Sequence, residues 1–260
     1  MFTHDINPII YEWSFLSIRW YGVLLAIGLV IAFVLLVKIF KENNLKSDLA
    51  LDLAIWLTLG GLIGARLGYI LFYNLDFYIA NPQEIIFINH GGLSSHGMAL
   101  GMILGFIIFI KIKKVDWKKT IDLAVIPLPI IAAFIRIGNF INSGIVGRET
   151  DLPWGVKFPV YEIFPVARHP VQLYEALTSL AIFAVLYLVY KKYYKKLPEL
   201  FIFHLFLLIY FSTRFILEFF KEYQVVPLEY FLTMGQILSI PFILWALGWF
   251  IWKYKNRFFG

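Results

Sequence analysis

The stretch IRWYGVLLAIGLVIAFVLLV, residues 18–37, decides the fold class of this chain. After Arg19 it continues to residue 37 without a charged side chain. A helix needs about 20 mostly apolar residues to cross the hydrocarbon core of a bilayer. We therefore predict that this stretch is a membrane-spanning helix.

Six further apolar stretches of similar length follow it. They are residues 50–72, 93–110, 121–141, 171–190, 199–220 and 231–252. The chain is 60% hydrophobic and 15% charged, whereas soluble domains are about 45–50% apolar and about 25% charged. An open sheet cannot satisfy its backbone in lipid. We predict an all-α integral membrane protein with seven transmembrane helices, forming one membrane domain over residues 1–260.

The lysines indicate how the spans are oriented. They cluster after the first, third, fifth and seventh spans, and the other gaps hold few basic residues. Cytoplasmic loops carry the excess of Lys and Arg, so we predict that the N-terminus lies outside and the C-terminus in the cytoplasm. Residues 142–169 then form a small outer loop region with a short hairpin, broken by Pro153, Pro159 and Pro165. Because topology accounts for the net charge of +6, we expect no nucleic-acid partner.

The residue inventory excludes several kinds of site. The chain has no cysteine, which rules out a thiolate nucleophile of its own and a cysteine-ligated metal. Neither His90 nor His204 has a second ligand at metal spacing, so we predict no metal site. The sequence contains no phosphate-binding loop and no dinucleotide fingerprint.

The arginines are distributed differently from the lysines. Six of them lie in apolar runs, at the outer ends of those runs or in outer loops: Arg19, Arg66, Arg136, Arg148, Arg168 and Arg214. A charge at the bilayer centre costs at least ~2.5–3.5 kcal/mol, so such residues usually face the bundle interior and are functional. A guanidinium group binds phosphate bidentately. The pattern predicts a site for an anion within the membrane domain.

Two segments concentrate the polar candidates. Arg136, Asn139 and Asn142 share one side of a predicted helix and lead into a glycine-rich turn. His96 follows GGLSS, residues 91–95, and precedes small residues that let helices approach closely. Structural readings stay open for others: Arg214 and Glu218 could neutralise each other at i, i+4, and Arg66 could make a structural pair or extend to the interface.

These stretches together resemble the prolipoprotein diacylglyceryl transferase family over nearly the whole chain. The segments that carry the resemblance are RWYG (19–22), GARLGYILFYN (64–74), HGGLSSHGMALG (90–101), RIGNFINSGIVGRE (136–149), ARHPVQLYEA (167–176), RFILEFF (214–220) and TMGQILSIP (233–241). No single motif is decisive, but seven in the family's order make chance resemblance improbable.

The resemblance implies a reaction and its partners. The diacylglyceryl group of phosphatidylglycerol is transferred to the lipobox cysteine thiol of a prolipoprotein, a thioether forms, and glycerol phosphate leaves. The family uses no cofactor. The resemblance also implies a multi-pass protein of the bacterial cytoplasmic (inner) membrane, and we expect the active site to face the outer side.

For this reaction we assign roles to particular side chains. Arg136 and Arg214 would hold the leaving phosphate. His96 would either act as general base toward the thiol, because imidazole titrates near neutrality, or hydrogen-bond the head group. The predicted lipid-binding residues are Tyr21, Arg136, Asn139, Tyr210 and Glu218. The predicted supporting residues are Arg66, Gly147, Arg168 and Glu175.

Two positions depart from the family's pattern. Ile135 stands where the family usually has Gly, and Gly144 stands where it usually has Glu. Either Glu149 or Glu162 substitutes for that glutamate, or the contact is dispensable.

Two other functions remain open at this point. Buried arginines would also suit an anionic-lipid transporter or scramblase, although such proteins typically contain internal repeats and none is visible here. Ser94 or Ser95 beside His96 would suit an intramembrane serine protease.

Overall fold

The structure is a computed structural model that describes residues 2–13, 16–87, 91–222 and 231–258. Seven helical spans in these residues are long and apolar enough to cross a membrane: Trp20–Glu42, Ser47–Tyr73, Ser95–Lys113, Trp117–Ile141, Val171–Lys196, Phe201–Phe220 and Met234–Lys255. The predicted all-α membrane fold with seven spans is therefore confirmed. Which terminus faces which side of the membrane stays a prediction.

The helices follow the predicted order. They are α1 (Trp20–Glu42), α2 (Ser47–Tyr73), α3 (Leu75–Ala80), α4 (Ser95–Lys113), α5 (Trp117–Ala124), α6 (Leu128–Ile141), α7 (Val171–Tyr193), α8 (Phe201–Leu217) and α9 (Met234–Phe258). Short 3₁₀ turns cover Pro82–Ile86, Tyr194–Lys196 and Glu218–Phe220. The sequence analysis did not anticipate α3 or the turn after it. His90 lies outside the described residues.

The fourth span is two helices rather than one. α5 ends at Ala124, and α6 begins at Leu128 directly after Pro127. Proline has no backbone N–H to continue a helix, but it is well suited to the first helical turn. This span is also the one most enclosed by protein. In an 18-residue apolar stretch of each span, 56% is buried here, against 17–33% in the other six. Its second half carries Arg136 and Asn139.

Short strands cover one end of the helices. β1 (Phe2–Thr3) pairs in parallel with β4 (Val156–Lys157), which pairs antiparallel with β5 (Ala167–Arg168). The β4–β5 pairing lies within the predicted outer loop, where a short hairpin was expected. A second antiparallel pair, β2 (Ile9–Trp13) and β3 (Leu16–Arg19), precedes α1 and was not predicted.

The contacts divide the described residues into two compact units. The first contains the chain up to Leu35 and from Ile121 onward. In it α7 packs against α6 and α8, and α8 packs against α9. The start of α1 reaches α6, because Gly28 leaves room for the ring of Phe134.

The second unit contains residues 36–120 and is centred on the packing of α2 against α4. Three glycines of α2 face three of α4, and a Cβ at Gly64 would collide with the carbonyl oxygen of Gly97. A Cβ at Gly101 would likewise collide with the carbonyl oxygen of Gly60. Small residues therefore let these two backbones touch, as in other membrane helix pairs. The prediction of one membrane domain stays a prediction.

Candidate active site

Three membrane-spanning helices of the first unit enclose a cavity of about 140 Å³. Its lining comes from α6, α7 and α8: Ala132, Ile135, Arg136, Glu175, Thr178, Ser179, Ile182, Tyr210, Thr213, Arg214 and Leu217. Four of the predicted site residues, Arg136, Glu175, Tyr210 and Arg214, therefore lie in one place. The cavity lining combines apolar side chains with polar and charged ones, as expected for a ligand site.

The two arginines of the cavity differ in their ion-pair partners. The Nε atom of Arg136 lies 3.0 Å from Oε2 of Glu175. Arg214 makes no ion pair with any residue that the structure describes. It does not pair with Glu218 at i, i+4, because Glu218 pairs with Lys221 instead. A half-buried guanidinium group with no carboxylate partner is suited to an anionic ligand.

Lys221 links two carboxylates behind the cavity. Its Nζ lies 2.8 Å from Oε1 of Glu175 and 3.2 Å from Oε2 of Glu218. Glu218 does not line the cavity; its carboxylate lies against Gly235 of α9, where a Cβ would be 2.6 Å from the carboxylate carbon. With Arg136 and Arg214, this group holds three cationic side chains and two carboxylates. With all five side chains ionised, the net charge of the group is therefore +1.

The start of α9 is fixed by a reciprocal cap. The Gln236 backbone N–H donates to Oγ1 of Thr233 at 3.2 Å, and the Thr233 N–H donates to Oε1 of Gln236 at 3.0 Å. This is a capping box, which satisfies two N–H groups that the helix itself cannot. It places Gly235 beside Glu218, so the TMGQ segment has a structural role next to the site.

Gly147 lies where two distant segments pair. The Arg148 N–H donates to the carbonyl of Phe220, and Nε of Arg148 donates to the carbonyl of Lys221 at 3.0 Å. A Cβ at Gly147 would collide with the carbonyl oxygen of His169. The residues after α6 are thus bound to the end of α8, which holds Lys221 in register with Glu175.

Arg168 organises the segment between α6 and α7 and does not line the cavity. Its guanidinium donates to both carboxylate oxygens of Glu162, at 3.0 and 2.8 Å, and to Glu222 at 2.8 Å. These hydrogen bonds hold the pKa of Glu162 below its ordinary value. The guanidinium also faces the ring of Tyr161. The supporting role expected for Arg168 stays a prediction.

Tyr21 of α1 and Asn139 of α6 lie outside the cavity lining. The Tyr21 ring packs on Gly138, where a Cβ would come within 2.8 Å of it. Asn139 follows Arg136 by three residues, and its carbonyl accepts a hydrogen bond from Gly144 at 2.9 Å. The structure therefore places both residues near Arg136 without assigning them a ligand.

Gly144, where the family usually has Glu, leaves an open position. The nearest heavy atom to a Cβ built there would be the Asn139 carbonyl oxygen at 3.8 Å. Glu149 and Glu162 both lie beside Arg168, at 3.8 and 2.8 Å, and neither lines the cavity. The carboxylate closest to Arg136 is that of Glu175.

His96 and Arg66 belong to the second unit. Arg66 is buried, and its guanidinium donates to the backbone carbonyls of the loop before α4: Glu84, Ile85, Phe87, Gly91 and Gly92. His96 is exposed at the second position of α4, just after the cap in which Oγ of Ser94 accepts from the Gly97 N–H. Arg66 thus supports the loop that leads to His96, and Ser94 has a structural role.

Four residues of the site, Lys221, Thr178, Ser179 and Thr213, were not predicted from the sequence. Lys221 lies in a gap between spans, where lysine normally indicates a solvated loop. Its spacing of three residues from Glu218 was the available signal. Thr178 and Ser179 follow Glu175 by three and four residues on α7 and therefore share its face. Thr213 could be recognised only from the packing.

Comparison with known proteins places the chain in a family. The family model described as prolipoprotein diacylglyceryl transferase matches residues 8–252. Curated relatives named phosphatidylglycerol–prolipoprotein diacylglyceryl transferase include one from Tolumonas auensis, 36% identical over 94% of both chains. Another, from Desulfotalea psychrophila, is 39% identical over 97% of this chain and 95% of the relative. One from Porphyromonas gingivalis is 37% identical over 98% and 95%. This chain belongs to the prolipoprotein diacylglyceryl transferase family.

Proposed function

We propose that this chain transfers the diacylglyceryl group of phosphatidylglycerol to the lipobox cysteine of prolipoproteins. The relatives described above carry the name of this activity over nearly the full length of the chain. The observation that carries the proposal is the cavity itself, in which Arg136 and Arg214 meet between three membrane-spanning helices, Arg214 having no ion pair among the described residues. The transporter and serine protease hypotheses find no support among these relatives.

The chemistry is a displacement at carbon. The cysteine sulfur attacks the C3 carbon of the diacylglycerol moiety, the C–O bond to phosphate breaks, and its electron pair leaves with the phosphate oxygen. Arg136 and Arg214 would stabilise the charge that develops on that oxygen, and the water-poor site strengthens the attraction. The products are a thioether and glycerol phosphate. No step requires a cofactor.

The thiol must lose its proton before or during attack, because the thiolate is the nucleophile. His96 would either accept that proton or hydrogen-bond the head group while the arginines favour the thiolate. The two roles separate in a pH profile. If His96 is the base, His96→Gln lowers kcat at neutral pH and recovers as the thiol ionises at higher pH. If it binds the head group, the loss is in KM at every pH.

We further propose that the reaction takes place toward the outer face of the bacterial inner membrane. Arg136 lies late in α6, Glu175 lies early in α7, and Arg214 lies late in α8. These ends adjoin the segment between α6 and α7. The lysine distribution predicts that this segment is outside the cytoplasm.

A direct assay tests the proposal. Purified protein is incubated with phosphatidylglycerol and a lipobox peptide, and the peptide is analysed by mass spectrometry. We expect the mass of one diacylglyceryl group on the cysteine, with none on a matched peptide that has serine at that position. An unmodified cysteine peptide, with the lipid unconsumed, would contradict the proposed function.

A further inference from the structure

Glu175 is deeply buried, and one of its carboxylate oxygens lacks a hydrogen-bond donor among the described residues. The residue is 7% exposed and lines the cavity. Its Oε1 is held by Lys221 at 2.8 Å. Its Oε2 accepts no hydrogen bond from the residues that the structure describes. Arg136 Nε lies 3.0 Å from that oxygen, but the approach is that of an ion pair rather than a directed hydrogen bond. A buried carboxylate oxygen without a donor is costly, so a ligand that supplies one is favoured.

The Thr178, Ser179 and Thr213 hydroxyls of the cavity lining do not supply that donor. Thr178 and Ser179 both donate to backbone carbonyls of α7, at 2.8 and 2.7 Å. Thr213 donates to a carbonyl of α8 at 2.9 Å. Each hydroxyl therefore presents only its lone pairs to the cavity. The wall beside Glu175 offers hydrogen-bond acceptors, while Arg136 and Arg214 offer an anion site.

The cavity thus fits a phosphate that carries hydroxyl donors. Building on the proposed function, we infer that Glu175 is a specificity-determining residue whose Oε2 accepts a hydrogen bond from a head-group hydroxyl of the donor lipid. A hydroxyl fits better than an ammonium group, because Arg136 and Lys221 already pair with the carboxylate and Arg214 lines the same cavity, so a further cation would be repelled. Lys221 is then a positioning residue that fixes Oε1 and orients Oε2 toward the ligand.

Phosphatidylmethanol provides the test. It has the same monoanionic phosphodiester and the same bond to be broken as phosphatidylglycerol, but its head group has no hydroxyl. The measured quantity is the ratio of kcat/KM for the two lipids. For the wild-type protein we expect roughly 10- to 100-fold in favour of phosphatidylglycerol, the usual value of a hydrogen bond to a charged group. A wild-type ratio near one overturns the inference.

Two variants assign the discrimination to Glu175. Glu175→Gln removes the charge, and Glu175→Asp keeps the charge but withdraws the oxygens from the ligand. In both we expect the ratio to fall to within about threefold of one, whatever happens to the absolute rates. A ratio that stays at the wild-type value in either variant overturns the inference. Asp151→Asn, which changes an exposed carboxylate, is the matched control and keeps the wild-type ratio. Absence of transfer from both lipids by the wild-type protein would instead contradict the proposed function.

Discussion

At the scale of single residues, the arginines of this chain divide by their partners. Arg66 is saturated by backbone carbonyls and Arg168 by carboxylates, so both hold loops in place. Arg136 has a single carboxylate at its Nε, and Arg214 has none among the described residues. Arginine in an apolar run therefore predicts burial, but only the partners show whether its charge is available to a ligand.

The transfer activity should depend on the shape of the Arg214 side chain as well as on its charge. Arg214→Ala is expected to lower kcat/KM by roughly 100-fold or more, the cost of losing one pre-oriented donor to a developing anion. Arg214→Lys should recover only part of the loss, because an ammonium group lacks the bidentate fork. Steady-state transfer kinetics measure both variants. Arg19→Ala, at an exposed arginine, serves as the control, and wild-type activity in Arg214→Ala would exclude the phosphate role.

The residues of the site differ in how far the sequence could predict them. Arg136, Tyr210 and Arg214 could be predicted because charge and polarity stand out within apolar helices. Lys221 could not, since a lysine between spans has the same appearance whether it is solvated or buried. Its role depends on the pairing of Arg148 with Phe220, a contact across 72 residues that no local pattern encodes.

At the scale of elements, the seven helices were predictable because hydrophobic length alone determines a span. The capping box at Thr233 and Gln236 was also visible as a spacing. The break at Pro127 was not anticipated, since proline is tolerated within membrane helices, as Pro241 is within α9. The short strands β1, β4 and β5 depend on register between distant segments.

The contact between α2 and α4 should be intolerant of any added atom. Gly101→Ala would place a methyl group against the Gly60 carbonyl oxygen, and backbone cannot move aside as a flexible side chain can. We expect a loss of at least about 1–3 kcal/mol in the free energy of unfolding. Thermal unfolding in detergent measures it. At Gly248, where nothing lies within 4 Å of an added Cβ, Ala should be neutral or slightly stabilising. Equal unfolding temperatures for the two variants would contradict close backbone packing.

The segment between α6 and α7 should lose stability in acid through Glu162. Arg168 holds the pKa of Glu162 below its ordinary value of 4.5. The stabilisation from this pair is therefore present above that ordinary value, and is lost as the pH falls through the lowered pKa of the folded state. Glu162→Gln should cost about 1–2 kcal/mol at pH 6.

The difference between wild type and Glu162→Gln should shrink as the pH falls below about 4.5. Unfolding temperatures at pH 6 and pH 3.5 provide the measurement, with Asp151→Asn as the control. A difference that is the same at both pH values would show that the ion pair does not stabilise the segment.

At the scale of the whole molecule, the charges have two functions. The lysines lie near the helix ends or between helices, and most of the arginines lie within the helices or in the segment between α6 and α7. The cavity residues come from the ends of α6, α7 and α8 that adjoin residues 142–170. The side of the membrane that this segment faces therefore determines the side from which a prolipoprotein must reach the cavity.

The natural absence of cysteine makes that orientation directly measurable. Asp151→Cys places a single thiol in the segment between α6 and α7, and Lys195→Cys places one at the opposite end of α7, both at exposed positions. In spheroplasts, whose inner membrane is intact but whose outer membrane and cell wall no longer block access, a membrane-impermeant maleimide should label Asp151→Cys. It should label Lys195→Cys only after the membrane is permeabilised, because lysine-rich loops remain in the cytoplasm. The cysteine-free parent controls for background labelling. The reverse pattern would place the cavity on the cytoplasmic side, where a lipobox that has been translocated could not meet it.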